Sequence, residues 1–277
     1  MSYWALSHAA YDVCWSDLGL GQRPLVIDVP AVGATEAERA DLAEDVRADL
    51  VARRLHDGRE LDEGLEWALC LLARPVAAVA VRVVSDAGEL RAMTATGRGE
   101  TGVCAVLDAD ALHLRRVPAA ELAASALALL PDVPPAVGTS VAMPAELLDD
   151  VVRRESTLGG VTAALMDTGL RADLARLVGE AVTAPRSGAA RFEAAGDVEP
   201  GRPHRAAAGL GAPTAPTAPT ALTTPTALTT LTVLDTERGR FLCQRAPGSD
   251  GRPWLTISPG PLPLLLERVA ELGASAG

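Results

Sequence analysis

Residues 76–117 read VAAVAVRVVSDAGELRAMTATGRGETGVCAVLDADALHLRRV, and apolar side chains recur along them at every second position. Such a period marks extended chain, because successive side chains of a strand point to opposite faces. Four strands are predicted, over 76–84, 89–96, 103–107 and 111–117. Their joins are Ser85-Asp86-Ala87-Gly88, the stretch 97–102, and Asp108-Ala109-Asp110. Joins this short permit antiparallel hairpins and exclude parallel crossovers, which need about a dozen residues or more.

Upstream, an amphipathic segment over 8–20 ends in the helix-stop signal Gly19-Leu20-Gly21. Leu25-Val26-Ile27 reads as a short strand. Thr35 and Glu38 have the spacing of a capping box, and Leu42, Val46 and Leu50 give the following helix its apolar stripe. A second helix, 62–73, stops before Pro75. Downstream of the strands a helix is predicted over 119–130. Further helices follow over 144–155, 158–166 and 170–182, and strands over 189–195, 231–234, 240–244 and 254–257. A helix over 262–272 closes the chain. Each half thus reads as helices, then antiparallel strands, then one helix. The fold class is α+β: a central antiparallel β-sheet flanked by helical bundles. One domain, 1–277, would hold two pseudo-symmetric halves, 1–131 and 138–277. The alternative is two separate α+β domains linked near 131–138.

One stretch departs from that plan. Residues 197–230 are rich in Pro, Ala, Thr and Gly and hold three Ala-Pro-Thr copies, Ala212 to Thr220. This composition offers no apolar face for a core, so it reads as a flexible loop insertion between two strands.

Composition bounds the function. The chain has 277 residues, 48% hydrophobic, with a mean hydropathy of +0.18. A core of useful size follows from that length. Net charge is −11, all 25 basic residues are Arg, and these are scattered. Such a field repels nucleic acid and anionic membranes. The adjacent pairs Arg53-Arg54 and Arg153-Arg154 fall late in helical segments, where cations complement the helix dipole. No apolar run approaches the roughly 20 residues that span a bilayer, and the first residues lack a signal-peptide pattern. A cytoplasmic protein is expected. Cys14, Cys70, Cys104 and Cys243 each sit alone in an apolar run, as buried reduced thiols do; a lone nucleophilic Cys is the alternative.

Chemical motifs are sparse. Gly97-Arg98-Gly99-Glu100-Thr101-Gly102 spells G-x-G-x-x-G, but a strand follows where a dinucleotide site needs a helix N-terminus. It reads as a hairpin turn. His8, His56, His113 and His204 have no ligand-type neighbour at helical spacing, so neither a metal nor a cofactor is expected. Asp108 and Asp110 flank a turn, and Asp149 and Asp150 precede Arg153-Arg154 at the spacing of solvated ion pairs. No catalytic residue is assigned.

Several segments carry a resemblance. Val13-Cys14-Trp15-Ser16-Asp17-Leu18-Gly19-Leu20-Gly21, Asp28-Val29-Pro30 and Gly33-Ala34-Thr35-Glu36-Ala37-Glu38-Arg39 come first. Leu72-Ala73-Arg74-Pro75 and Ala105-Val106-Leu107-Asp108-Ala109-Asp110 follow, then Asp235-Thr236-Glu237-Arg238-Gly239-Arg240-Phe241 and a strand led by Trp254. In order and spacing these resemble the EspG family of type VII (ESX) secretion over nearly the whole chain; the Ala-Pro-Thr insert lies outside that pattern. The resemblance implies a central sheet in two quasi-equivalent halves. It implies a cytosolic chaperone that grips the tip of a PPE-like helical hairpin in a PE–PPE pair, keeps it soluble and delivers it to the ESX apparatus. The client would lie on the central sheet, near the join after Val84 and the C-terminal helical bundle. Val79, Val81 and Val83 on one strand face, Asp86 and Gly88 in the turn, and Leu170, Leu174 and Leu177 on one helical stripe are the candidate partner-binding residues. Ala78, Ala80 and Arg82 share the other strand face. The rival is an enzyme whose fold assembles Glu100, Asp108, Asp110 and His113 at one sheet edge.

Replacing 209–229 by a short Gly-Ser link should leave the melting temperature almost unchanged, because Pro and Thr repeats contribute no buried apolar area. A loss of many degrees in a thermal melt would contradict the loop assignment.

Overall fold

The computed structural model describes residues 2–33, 35–195, 230–248 and 251–274. In chain order the first half comprises β1 (Tyr3–Ser7), α1 (His8–Asp17), α2 (Glu36–Ala52), α3 (Glu63–Ala73), β2 (Ala77–Ser85), β3 (Gly88–Thr96), β4 (Thr101–Leu107), β5 (Ala111–Pro118) and α4 (Leu122–Leu127). The second comprises β6 (Val141–Pro144), α5 (Ala145–Arg154), α6 (Leu158–Asp167), α7 (Ala172–Thr183), β7 (Arg186–Ala194), β8 (Thr230–Thr236), β9 (Gly239–Pro247), β10 (Pro253–Pro259) and α8 (Leu262–Ala274). The stretch read as an insertion lies outside the described residues, apart from Thr230, which opens β8.

The ten strands form one sheet in the order β1-β5-β4-β3-β2-β7-β8-β9-β10-β6, every neighbour antiparallel. The order is the same read outward from the centre in either half: four consecutive strands, then the strand that precedes the helices. Local chemistry fixes the ends of these elements. The Ser7 hydroxyl accepts from Ala10 N to start α1, and Thr35 and Glu38 form the capping box of α2. Asp62 accepts from Leu65 N at 2.9 Å and from the Trp4 indole at 3.1 Å, tying β1 to α3 through one carboxylate. Gly88, with φ of 117°, turns β2 into β3 in a conformation that side chains with a Cβ rarely adopt.

Three expectations are corrected. Leu25–Ile27 forms a single 3-10 turn, with Ile27 buried and Leu25 exposed, instead of a strand. Arg23 holds this segment by donating to Asp28 at 2.8 Å and to the Val29 carbonyl at 3.0 Å, and by pairing with buried Asp12. The edge strands β1 and β6 stand where no strand was predicted. Finally, α2 ends at Ala52, so Arg53 caps the helix and Arg54 turns left-handed, with φ of 59°, beyond its last turn.

Register places the side chains in three clusters. Leu6, Leu65, Leu69, Leu72, Leu107, Leu112 and Leu114 pack where α1, α2 and α3 cover the first half of one sheet face. Leu148, Val161, Leu165, Val178, Phe241 and Ile257 pack where α5, α6 and α7 cover the second half. Both layers lie on the same face: Ala78 belongs to the first cluster, Ala80 shares its side of β2 and faces Glu193, and Ala189, on that same side of β7, belongs to the second. On the opposite face, α4 and α8 cover Val79, Val81, Val83, Ala190, Phe192, Leu231 and Val233 at the sheet centre.

Phe192 is fully buried there and faces Val81 across the β2–β7 join. Truncation to Ala should cost about 3–5 kcal/mol, the usual range for a core Phe. Urea denaturation followed by circular dichroism measures it; a loss under about 1 kcal/mol would mean that the centre of the sheet is not a packed core.

Candidate functional site

The two helical layers on one face leave the middle of the sheet between them. There Ala80, Arg82 and Val84 of β2 and Ala189, Arg191 and Glu193 of β7 point the same way, all half-buried. Arg82 faces Arg191 across the join and faces Arg91 of β3 on its other side. Thr232 of β8 continues the row beyond Arg191. Arg82 lies 3.5 Å from Glu89, Arg191 lies 2.6 Å from Glu193, and Arg91 donates to the Asp28 carbonyl at 3.0 Å. The β2–β3 turn projects from one end of this strip with Asp86 and Gly88 exposed.

The predicted partner-binding residues therefore divide. Val79, Val81 and Val83 are at most 4% exposed, because α4 and α8 lie over them. The valine face is core, and among the described residues the opposite face is the half-exposed one, through Ala80, Arg82 and Val84. Leu177 is also core, whereas Leu170 and Leu174 are half-buried at the margin of the second cluster. Arg191 and Thr232, which share this row, are not among the predicted residues. Arg191 stands alone in a short strand, and only the register with β2 brings it to Arg82.

Other polar clusters have structural roles. Asp108 accepts from Asp110 N at 2.9 Å and Ala111 N at 2.8 Å, and these backbone donors hold its carboxyl below the usual carboxylate range. His113 Nε2 lies 2.9 Å from Asp108, and its Nδ1 lies 2.6 Å from the Tyr3 hydroxyl, on an exposed surface. Two members of the enzyme reading thus meet, but Asp110 faces solvent in the turn and Glu100 lies at the far end of β4. Asp149 pairs with Arg245 of β9 at 2.9 Å, and only Asp150 pairs with Arg153, which corrects the expected local pairing. Burial pushes the Cys14 and Cys243 thiols up to about 12 and raises Cys70 and Cys104 as well, which keeps them protonated and poor nucleophiles. Among the described residues no three His, Cys, Asp or Glu side chains gather as metal ligands, and no helix is long and apolar enough to cross a membrane.

The glycine stretch joins β3 to β4 as a hairpin, beside a depression of about 300 Å³ lined by Trp67, Leu71, Arg98 and Arg116. Arg116 stacks on the Trp67 ring at 4.2 Å. A strand follows the glycines, so they open no helix N-terminus for a pyrophosphate.

The described helices of the two halves cover one face of a shared α+β sheet on either side of a half-buried centre. The EspG family model matches residues 7–213 and 215–271, and the chain belongs to the EspG family. Among solved structures it is similar to the Mycobacterium tuberculosis type VII secretion system chaperone EspG5, determined in complex with the PE25-PPE41 dimer. The TM-score is 0.73 at 14% identity, covering 99% of this chain and 96% of that one. That likeness is one of fold. No curated protein matches the sequence.

Two substitutions separate a turn from a nucleotide site. A Cβ on Gly99 meets nothing within 4 Å, so Gly99→Ala should change stability by less than about 0.5 kcal/mol. A Cβ on Gly102 would meet the Ala95 carbonyl at 2.6 Å, so Gly102→Ala should lose about 1–3 kcal/mol. Calorimetry with ATP or a nicotinamide nucleotide should show no binding to the parent; micromolar binding abolished by Gly99→Ala would contradict the turn assignment. Asp108 gives a pH test. A depressed pKa stabilises above the unfolded value of about 3.9 and stops doing so as pH falls through the folded value. Asp108→Ala should cost about 1 kcal/mol at pH 7 and progressively less as pH falls below the unfolded value and the carboxyl takes up its proton. Chemical denaturation across that pH range checks this.

Proposed function

We propose that this protein is a cytosolic, non-enzymatic specificity chaperone of type VII secretion. It binds the tip of a PPE-like helical hairpin in a PE–PPE pair, keeps the pair soluble and delivers it to the ESX apparatus. The observation that carries this reading is membership of the EspG family together with a sheet centre that the described α-helices leave half-exposed on one face. The likeness to EspG5, a chaperone seen with a PE–PPE dimer, supports the same class of client. The chain acts as one domain whose halves, 1–131 and 138–277, share the sheet.

The client tip lies across the uncovered strip and touches the Asp86–Gly88 turn at one end. Leu170 and Leu174, at the rim of the α5–α7 layer, supply apolar contact, and the turn supplies orientation. Val79, Val81, Val83 and Leu177 act from beneath, by holding β2 and α7 in place. A hairpin tip with exposed apolar side chains needs such shielding before export.

Co-expression with a tagged PE–PPE-type pair from the same genome tests the reading. The parent should co-purify as a stable complex. Asp86→Arg with Leu174→Arg, both outside the deep core, should weaken capture about tenfold or more while circular dichroism stays unchanged. Persistent capture by the folded double variant would place the client elsewhere, and capture of no such pair by the parent would contradict the chaperone assignment.

A further inference from the structure

Arg82 and Arg191 occupy directly opposed positions at the join of the two half-sheets, and Arg91 is the other cross-strand neighbour of Arg82. Opposed side chains in an antiparallel pair stand roughly 4.5–5.5 Å apart at Cβ, and like charges there are destabilising. A row of three guanidinium groups at the centre of a sheet therefore opposes folding, in a chain whose net charge is −11. Its members differ in how they are held. Arg91 is tied to the Asp28 carbonyl. Arg82 and Arg191 rest on Glu89 and Glu193, whose side chains are 44% and 43% exposed. Pairs with partners this open contribute little, about 0–1 kcal/mol, so either glutamate can turn to water when another carboxylate arrives.

We propose that Arg82 and Arg191 are the specificity-determining residues of the docking surface and take a carboxylate from the tip of the helical-hairpin client. The inference rests on the chaperone reading and adds to it the chemistry of the recognised group. Arginines at facing positions of adjacent strands suit a carboxylate, which accepts parallel N–H bonds from a guanidinium once its own glutamate turns away. Docking removes water from the strip and strengthens that contact, whereas an uncharged tip would desolvate the arginines with only their own glutamates as partners. The row thus selects for an acidic tip and against a neutral or basic one.

The test uses the full chain and two probes. The first is a PE–PPE-type pair from the same genome, with tip carboxylates changed singly to amides. The second is a capped Leu-Glu-Glu-Leu peptide beside its Leu-Gln-Gln-Leu counterpart. The variant is Arg82→Gln with Arg191→Gln, which should fold at least as stably as the parent because the opposed charges are gone. Arg82→Lys with Arg191→Lys serves as a charge-preserving second variant. The expected results are an affinity for the pair about tenfold lower in the Gln variant, partial retention in the Lys variant, and weakening of parent binding with added salt. The Glu peptide alone should move the NMR signals of the Arg82 and Arg191 side chains. If the pair binds parent and Gln variant equally, at every tip composition, the inference falls and the chaperone reading stands. If no pair binds yet the Glu peptide finds the two arginines, the chaperone reading falls and the carboxylate site stands. If neither probe distinguishes parent from variant, the inference is overturned.

Discussion

The antiparallel join of β2 to β7, seven residue pairs from Val79–Ala194 to Ser85–Gly188, is the constraint on which the rest of the molecule depends. It turns two five-stranded sheets into one of ten and buries what would otherwise be two unpaired edges. One face of the join is apolar, with Val81 against Phe192, and α4 and α8 pack over it and against each other. The other face carries the opposed arginines, and among the described residues no α-helix packs over them. Hydrophobic burial on one side thus sustains a charged surface on the other, which alone would favour separation of the strands. The proposed client surface is that half-buried side.

A second device fixes the connection between the halves. Arg240 donates to Asp235 twice, at 2.7 and 2.8 Å, and to the Pro131 carbonyl at 2.6 Å, with both side chains less than a tenth exposed. Its backbone bonds Pro134 and Ala136 in the same connection. A Cβ on Gly239 would fall 2.8 Å from Ala136 N, so glycine is required where this segment crosses the hairpin. A buried pair with satisfied donors of this kind specifies an arrangement more than it adds net stability.

The strands of 76–117 were legible because alternation and turn residues agree locally, and the capping box at Thr35 was legible for the same reason. What was not legible depends on distant partners. β1 and β6 are only five and four residues long and exist because β5 and β10 offer them edges. Leu25–Ile27 has strand-like composition but no edge to join. Both faces of β2 are apolar enough to be core, so only the packing of α4 and α8 settles that the valines are the fully covered side. Asp149 chose a partner 96 residues away over the arginines of its own helix.

The central claim is that the client sits on the sheet face between the two helical layers. A photo-reactive phenylalanine derivative placed at Thr232, beside Arg191 on that face, tests it against one at Thr256, which points to the opposite face of β10. With a co-expressed PE–PPE-type pair, the account predicts cross-links from position 232 to a hairpin tip and none from position 256. Cross-links from position 256 alone would contradict it.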